Sequence, residues 1–182
     1  GAVHYLAFEC LAERTIAREN LTRLKDPDKG YTPYLAERFQ AVLPACMRNG
    51  VRIVTNMGAA NPLGAARAVR REAQALGLKD VPVAVVLGDD VTETIRANPH
   101  LTLMESGEPV ESLLPRMAAA NAYLGAHVVR DALATGAPVV MTGRVSDPSL
   151  FLACVLHGLH WRYDDYPKLA VGTIAGHLME CA

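Results

Sequence analysis

Two segments of the chain share one design, and this repeated design constrains the fold more than any other feature. In each segment a short apolar strand ends in Thr, a Gly follows, and an Asx-Pro pair opens a helix. The segments are 53–63, where Asn61 precedes the proline, and 139–151, where Asp147 does. Asn and Asp are favoured helix caps, and Pro is favoured at the first helical position. Two such units predict loops that meet in one pocket.

Apolar runs typical of strands alternate along the chain with helical patterns. The predicted strands are 3–8, 51–55, 82–87, 138–141 and 169–174, with a further short strand at 101–104. The predicted helices are 10–25, 33–48, 62–76, 113–135 and the stretch after Pro148. This alternation predicts an α/β fold with a mostly parallel sheet and helices on both faces, in three layers. The fold is Rossmann-like, but the GxGxxG fingerprint of a dinucleotide site is missing.

Ligands of such sheets bind beyond the carboxyl ends of the strands. The predicted strands place four loops at that edge, namely 56–61, 88–90, 143–147 and 175–177. The last of these depends on a strand at 169–174 that ends before Gly176, where a final helix is expected to begin. We therefore look for functional residues in these four loops.

The length and composition fit one globular α/β domain spanning residues 1–182. Hydrophobic residues make up 51% of the chain and charged residues 20%, which is far from the composition of disordered chains. The chain opens almost directly on a strand and closes on a helix in its first turns. We therefore expect the domain to be part of a longer polypeptide.

The charge and the cysteines exclude several classes of protein. A formal charge of −1 argues against nucleic acid as a partner, because such proteins carry a clustered basic surplus. No apolar run approaches the roughly 20 residues of a membrane helix, and the start lacks the features of a secretion signal. The cysteines are far apart and predict buried free thiols in a reducing cytoplasm: Cys10, Cys46, Cys154 and Cys181.

The loop 56–61 has the composition of a binding loop. Its small residues let a ligand approach the backbone, and the helix that follows offers free amide donors. A carboxylate, a phosphate or a thioester carbonyl would suit such a place, so Asn56, Gly58 and Asn61 are predicted to bind substrate. The alternative is a tight strand-to-helix turn without a ligand. No Gly-Lys-Ser/Thr follows, so the loop is not a Walker motif.

Arg144 is the strongest candidate for ligand binding in the second loop. Its rigid fork of donors matches a carboxylate or phosphate at two points. The alternative is an internal salt bridge to Asp147 or to a carboxylate on a neighbouring loop. Asp147 itself is expected to cap the helix, and its replacement by Ala is expected to lower the free energy of unfolding by about 1 kcal/mol. With Thr142 and Gly143, Asp147 is also predicted to line the substrate site.

Acid–base chemistry is assigned to two further positions. Glu9 follows the first strand, and His177 follows Gly176 with Glu180 three positions later, so His177 and Glu180 share a helix face. A histidine there can move protons, although a structural histidine is the alternative. Gly176 is counted with the substrate-binding residues. These acidic and histidine residues, even with Asp89, lack the spacing of a metal site, so no metal is predicted.

The residues named above, taken with their neighbours, resemble the acyclic terpene utilisation AtuA family. The matching stretches follow one another in order over nearly the whole chain: 5–9 with 11–13, 54–62, 142–147 and 172–181. The family pattern normally begins earlier, with a Gly-rich strand and loop, and continues past residue 181. The resemblance implies a cytoplasmic protein linked to the breakdown of acyclic isoprenoids through acyl-CoA esters. It implies no catalytic assignment.

Two functional hypotheses follow. In the first, the chain is an enzyme acting on a branched acyl-CoA or similar anionic ligand, by hydration or lyase chemistry at the carboxyl edge of the sheet. Arg144 and the loop 56–61 would hold the substrate, while Glu9 and His177 would move protons. In the second, the chain is a non-catalytic binding or scaffold subunit that works with a partner chain or as a homo-oligomer. A Rossmann-type NAD enzyme is a weaker third hypothesis, and no cofactor is identified.

Overall fold

The computed structural model describes residues 3–180 and builds them from short parallel strands and seven α-helices. The strands are β1 Tyr5–Phe8, β2 Arg52–Thr55, β3 Val83–Val86 and β4 Val139–Thr142. The helices are α1 Glu13–Lys25, α2 Leu35–Asn49, α3 Pro62–Ala75, α4 Thr92–Arg96, α5 Ala126–Ala134, α6 Ser149–Gly158 and α7 Tyr166–Glu180. Two 3-10 turns lie at 110–112 and 114–116. Cys181 lies outside the described residues.

The four strands form one parallel sheet in the order β1-β2-β4-β3. The central strand β4 is buried along its whole length, as expected of a parallel strand covered on both faces. Its register is fixed by pairs such as Ile53 with Val139 on one side and Val83 with Val139 on the other. The predicted α/β fold with a parallel sheet is confirmed.

The side chains of β4 alternate between two separate cores, which makes the molecule three-layered. Val139 and Met141 pack with Phe39 of α2 and Val69 of α3. Val140 points the other way and packs with α5 and α6 residues. This period of two is what places helices on both faces of the sheet. Helix α7 packs against α6 and lies outside these layers.

The connections leave β2 and β4 toward opposite faces. Helix α3, which follows β2, packs into the core that holds Met141, whereas α6, which follows β4, packs into the core that holds Val140. Neighbouring strands with this property form a topological switch point, and a crevice opens beyond their carboxyl ends. The loop 56–61 lies against the end of β4, where a Cβ at Gly58 would lie 2.4 Å from the Thr142 carbonyl oxygen. A pocket shared by the two loops stays a prediction.

The predicted strand at 169–174 is wrong, because this stretch lies inside α7. The helix returns along α6 toward the carboxyl edge of the sheet, and its glycines allow close packing. A Cβ at Gly172 would lie 2.7 Å from Leu152 Cδ1, and one at Gly176 would lie 2.9 Å from the carbonyl oxygen of Pro148. The apolar run therefore reflects helix packing and not a strand. The expected loop 175–177 is a helical segment, so Gly176 and His177 do not begin a helix.

The predicted helix 113–135 is also wrong in its first half. Residues 117–125 are irregular, and α5 begins only after Gly125. The backbone there bonds to the loop after β3 instead: Ala122 N–H donates to the Asp89 carbonyl at 2.7 Å, and Val91 N–H donates to the Ala120 carbonyl at 2.9 Å. These tertiary bonds override the helix propensity of an alanine-rich segment. The predicted strand at 101–104 is reduced to a single bridge between Thr102 and Pro109.

The two Asx-Pro pairs behave differently. Asn61 caps α3, since its side-chain oxygen accepts from Gly64 N–H at 3.0 Å, and Pro62 is the first helical residue. Asp147 does not cap α6, which begins at Ser149 without a side-chain cap. Its carboxylate instead accepts from the guanidinium of Arg144. A charge-assisted bond to a buried cation outweighs a cap, so the predicted cap at Asp147 is wrong.

Gly58 is required by the close approach of the two loops. A Cβ at this position would lie 2.4 Å from the carbonyl oxygen of Thr142 and 2.8 Å from Pro62 Cα, and both atoms belong to the backbone. We predict that Gly58→Ala lowers the free energy of unfolding by about 1–3 kcal/mol, because the loops must separate. Urea unfolding measures this loss.

Gly107→Ala is the matched control. Gly107 has a φ of +72° and no neighbour within 4 Å of an added Cβ, so only the conformational strain of about 1 kcal/mol is expected. If Gly58→Ala destabilises the chain no more than Gly107→Ala does, the steric argument is wrong.

Candidate functional site

A groove of about 520 Å³ lies beside the switch-point crevice, between α1 and the irregular segment 116–123. Both walls combine apolar side chains with charged or amide groups. The lining residues are Glu13, Ile16, Ala17, Asn20, Leu21, Arg116, Ala118, Ala119, Asn121, Tyr123 and Arg144. Its size lies in the usual range for small-molecule sites.

Arg144 forms the base of this groove, and its guanidinium is held by internal partners. The side chain is 3% exposed. Nη1 donates to the carbonyl of Leu11, and Nη2 donates to Glu13 at 2.9 Å and to Asp147 at 3.0 Å. The guanidinium carbon lies 4.0 Å from the centre of the Tyr123 ring. The internal salt bridge, one of the two interpretations of Arg144, is thus what the structure contains; the predicted substrate contact stays a prediction.

Tyr123 and Glu13 form an exposed donor–acceptor pair above Arg144. The Tyr123 hydroxyl donates to the Glu13 carboxylate, which also accepts from Arg144. This hydrogen bond is the main cause that raises the pKa of Tyr123 and lowers the pKa of Glu13. At neutral pH the groove therefore presents a protonated phenol beside an ionised carboxylate.

Asp89 anchors the loop of Arg144 from below. It is only 4% exposed, and its Oδ2 accepts from Arg144 N–H at 2.8 Å and from Asn121 Nδ2 at 3.1 Å. Burial raises its pKa, and the two hydrogen bonds act against that rise. A Cβ at Gly143 would lie 2.4 Å from this carboxylate, which explains the glycine. Asn121 accepts in turn from Asn20 on α1 at 3.0 Å.

Glu9 and Asn56 clamp the ends of β1 and β2 together. Asn56 Nδ2 donates to Glu9 Oε1 at 2.6 Å, while Asn56 Oδ1 accepts from Cys10 N–H at 2.8 Å. Glu9 Oε1 also accepts from Leu11 N–H at 3.1 Å. The structure thus brings together one predicted catalytic residue and one predicted binding residue. Leu11 links them to Arg144, whose Nη1 bonds to the Leu11 carbonyl.

The loop 56–61 is buried beneath the connection between α1 and α2. Its backbone amides donate within the fold: Met57 N–H to the Thr55 hydroxyl, Ala59 N–H to the Asn56 carbonyl, Ala60 N–H to the Gly30 carbonyl and Asn61 N–H to the Gly58 carbonyl. Asn61 also donates to two carbonyls of the α1–α2 connection. These are the contacts of a tight turn, the alternative that the sequence left open. Substrate contact at Asn56, Gly58 and Asn61 stays a prediction.

The remaining predicted residues lie around the β4 loop. Thr142 is fully buried, and its hydroxyl donates to the Gly143 carbonyl at 2.9 Å. Gly176 approaches that loop from α7 through Pro148, and His177 is its neighbour in the last turns of the helix. Within residues 3–180, no three His, Cys, Asp or Glu side chains are placed to hold a metal ion.

Sequence reasoning missed Tyr123, Asn121 and Asn20. Tyr123 and Asn121 fall within the predicted helix 113–135, and Asn20 falls within the predicted helix 10–25. The only sequence signals of an irregular segment were Pro115 and Gly125, which bracket it.

A second cavity extends the groove along α1. It measures about 410 Å³ and shares Asn20, Ala118 and Ala119 with the first. Arg23 lines its far side, and Arg116 stands at the rim of the first cavity. The combined channel is therefore elongated and apolar along part of its length. Its charged lining is mixed, because Asp90 and Glu93 also line the second cavity and Asp90 lies 3.7 Å from Arg23.

The chain matches one protein-family model along its whole length. The model is described as acyclic terpene utilisation family protein AtuA, and the match covers residues 1–182. Searches of curated proteins and of solved structures found no match. Among the described residues, no helix combines the length and apolar character needed to cross a membrane.

The buried carboxyl of Asp89 predicts a pH dependence of stability. Because burial raises its folded pKa above the unfolded value of about 3.9, the native state binds the proton more tightly than the unfolded state does. The contribution of Asp89 to the free energy of unfolding is therefore largest at low pH. It falls as the pH rises from about 4 through the raised pKa.

Asp89→Asn removes this titration. We expect the difference in unfolding free energy between wild type and Asp89→Asn, from urea unfolding at a series of pH values, to shift against the wild type as the pH rises. Asp80→Asn, which removes an exposed carboxylate, is the control for the loss of one charge. A difference that stays constant with pH, or that shifts toward the wild type, would contradict the assignment.

Proposed function

Because the chain belongs to the acyclic terpene utilisation AtuA family, we propose that it is an enzyme of acyclic isoprenoid breakdown that acts on branched acyl-CoA esters. The reaction we propose is acid–base chemistry of the hydration or lyase type, carried out in the cytoplasm. The observation that carries the proposal is the Tyr123–Glu13 pair above the buried guanidinium of Arg144. This pair places a proton donor beside a proton acceptor in a groove of suitable size.

The shape of the channel suits a thioester with a long polar arm. Ile16, Ala17 and Leu21 would contact the branched hydrocarbon chain, since they are the apolar residues of the α1 wall. The second cavity continues from this wall and would take the extended part of the CoA group. Arg116 would then bind a phosphate, because guanidinium groups match phosphate geometry. Arg23 is already engaged by Asp90 and the Ala60 carbonyl.

The proton steps are assigned to groups that touch the groove. For hydration of a 2-enoyl thioester, Glu13 takes a proton from water, whose oxygen bonds to C3 while the C2–C3 double bond becomes an enolate. Once Glu13 has taken the proton from water, the Tyr123 O–H turns away from Glu13 and donates to the enolate oxygen. Glu13 then returns the proton to C2, so the net change is the addition of one water. Lyase chemistry uses the same base on a 3-hydroxyl group. The oxygen forms a C=O double bond to C3 while the C2–C3 bond breaks, the electron pair passes to C2 as an enolate, and Glu13 returns the proton to C2. Arg144 acts as a positioning residue that keeps Glu13 ionised and in place.

The other predicted site residues support this arrangement as part of the proposal. Glu9 with Asn56 would fix the turn that presents the Leu11 carbonyl to Arg144. His177 would relay protons near the β4 loop, which its neighbour Gly176 approaches through Pro148. No step of the proposed reaction needs a nucleic acid or a membrane as partner.

Two conservative substitutions test the proposal. Tyr123→Phe and Glu13→Gln remove the proton donor and the base while keeping the shape of the groove. We predict that each lowers kcat/KM for branched 2-enoyl-CoA esters roughly 100-fold or more, which is the usual size of acid–base contributions. Loss of the absorbance of the conjugated thioester measures turnover.

Tyr34→Phe serves as the control, because Tyr34 is an exposed tyrosine that does not line the groove. It is expected to keep wild-type activity. Full activity in Tyr123→Phe and Glu13→Gln would contradict the proposed roles. Saturable binding of acyl-CoA without any turnover would contradict the enzyme and favour a binding subunit.

The second candidate is a non-catalytic binding or scaffold subunit, and the exposed side of α7 favours it. Val171, Ile174 and Leu178 are 63%, 62% and 65% exposed and recur at helical spacing, so they form an apolar stripe. Such stripes mark protein contacts when they are contiguous. On this hypothesis a second copy of the chain packs against the stripe.

Light scattering over a range of concentrations tests the second candidate. We expect a dimer that Ile174→Lys converts to a monomer, since a charge in an apolar contact is costly. Lys79→Arg, on the surface after α3, is the control and should leave the dimer intact. A chain that is monomeric at all concentrations and turns over acyl-CoA esters would exclude this candidate.

A further inference from the structure

Another cleft lies at the opposite, amino-terminal edge of the sheet. It measures about 560 Å³ and is lined by His4, Tyr5, Gly50, Arg52, Cys154, Val155, His157, Gly158 and Leu159. Tyr5 and Arg52 are the first residues of β1 and β2, and His157 lies in the last turn of α6. Neither the family assignment nor the proposed reaction gives this cleft a role.

Three half-buried side chains in the cleft form one hydrogen-bonded cluster. His157 Nδ1 lies 2.7 Å from the Tyr5 hydroxyl oxygen, and His157 Nε2 lies 3.3 Å from Arg52 Nη1. Arg52 Nη1 also donates to the Leu133 carbonyl at 3.0 Å, near the end of α5. The Tyr5 ring stands beside Gly158, where a Cβ would lie only 3.2 Å from the ring. The glycine therefore makes room for this tyrosine.

The chemistry of Arg52 fixes the tautomer of His157. A guanidinium can only donate hydrogen bonds, so Nε2 must accept from it. A neutral ring then carries its proton on Nδ1, and that N–H donates to the Tyr5 oxygen. Burial, together with the charge of Arg52, lowers the pKa of His157, which agrees with a neutral ring at neutral pH. The hydroxyl hydrogen of Tyr5 is thus not used inside the cluster.

Arg52 likewise has N–H groups that form no hydrogen bond within residues 3–180. Within residues 3–180 its hydrogen bonds all run through Nη1, and no carboxylate lies within ion-pair distance of it. Nη2 and Nε remain as a second pair of donors. The surroundings are positive, since Arg130 and His160 also act on His157 electrostatically. A half-buried cation without a counter-ion is an unusual arrangement, because a buried charge is normally paired.

We propose that this cleft is an anion-binding site, in which Arg52 and the Tyr5 hydroxyl bind the phosphate or carboxylate group of a small organic molecule. The free edge of the guanidinium would bind two oxygens, and Tyr5 would donate to one of them. His157 is a positioning residue: it accepts from Arg52, donates to Tyr5 and so turns the remaining donors toward the cleft. The volume of the cleft suits a small metabolite.

Binding of inorganic phosphate and of acetate tests this proposal. In the intact chain we expect saturable stabilisation against heat by at least one of the two anions. Arg52→Gln should weaken that anion's binding about tenfold or more, and Arg52→Lys should give an intermediate loss, because lysine keeps the charge but not the fork. Tyr5→Phe should weaken binding severalfold. Arg71→Gln, at an exposed arginine on α3, should leave it unchanged.

The side-chain nitrogen resonances of His157 give a second readout that needs no ligand. In the wild type they should show the proton on Nδ1, and they should shift when the anion binds. Preference for phosphate over acetate identifies a phosphate ligand, and the reverse preference identifies a carboxylate ligand.

Three results would overturn the proposal: a proton on Nε2 of His157, binding by Arg52→Gln that equals that of the wild type, or no saturable binding of either anion. If Arg52→Gln does not fold, Tyr5→Phe carries the test. The cleft and the groove of the proposed enzyme lie at opposite edges of the sheet, so failure of one leaves the other standing.

Discussion

The burial of the Arg144 guanidinium is the interaction on which the carboxyl edge of this molecule depends. A charge removed from water costs several kcal/mol unless it is paired and hydrogen-bonded. Here the compensation comes from three separate segments: Leu11 and Glu13 from the start of α1, Asp147 from its own loop, and the ring of Tyr123. Each of these partners is therefore held in place by the need to satisfy the same cation. The position of α1 over the switch point, and with it the groove, follows from this requirement.

A second requirement acts on the backbone of the same loop. Asp89 accepts a hydrogen bond from the backbone N–H of Arg144. This buried carboxyl therefore fixes the backbone of the turn that carries the guanidinium. Gly143 lets that carboxyl approach, and Asn121 joins it to the segment that carries Tyr123. Asp89 thus ties the Arg144 loop to the segment that carries Tyr123, and Asn20 joins the same cluster to α1.

The fold could be predicted from the sequence where the local pattern and the tertiary packing agree. The strands β1 to β4 and the helix capped by Asn61 have strong periodicity and clear boundaries, so they were predictable. The predictions of secondary structure were wrong where tertiary contacts determine the backbone conformation. Residues 169–174 have the composition of a strand, but Gly172 and Gly176 allow a helix to pack on α6. The segment 117–125 has helix propensity, but it bonds to the loop after β3. For the same reason Arg144 was found and Tyr123 was not, because nothing local marks an exposed tyrosine as the partner of a distant cation.

The two edges of the sheet favour charges of opposite sign. Helices α3 and α6 begin at the carboxyl edge, where their free amides favour negative charge, and Glu13, Asp89 and Asp147 gather around one arginine there. At the amino edge α5 and α6 end, and their free carbonyls favour positive charge. Arg52 supplies this positive charge, and its Nη1 donates to the Leu133 carbonyl. The contact with the helix end does not use Nη2 or Nε. The carboxyl edge is therefore internally neutralised around its cation, whereas the amino edge keeps a cation that has no carboxylate partner in the described range 3–180.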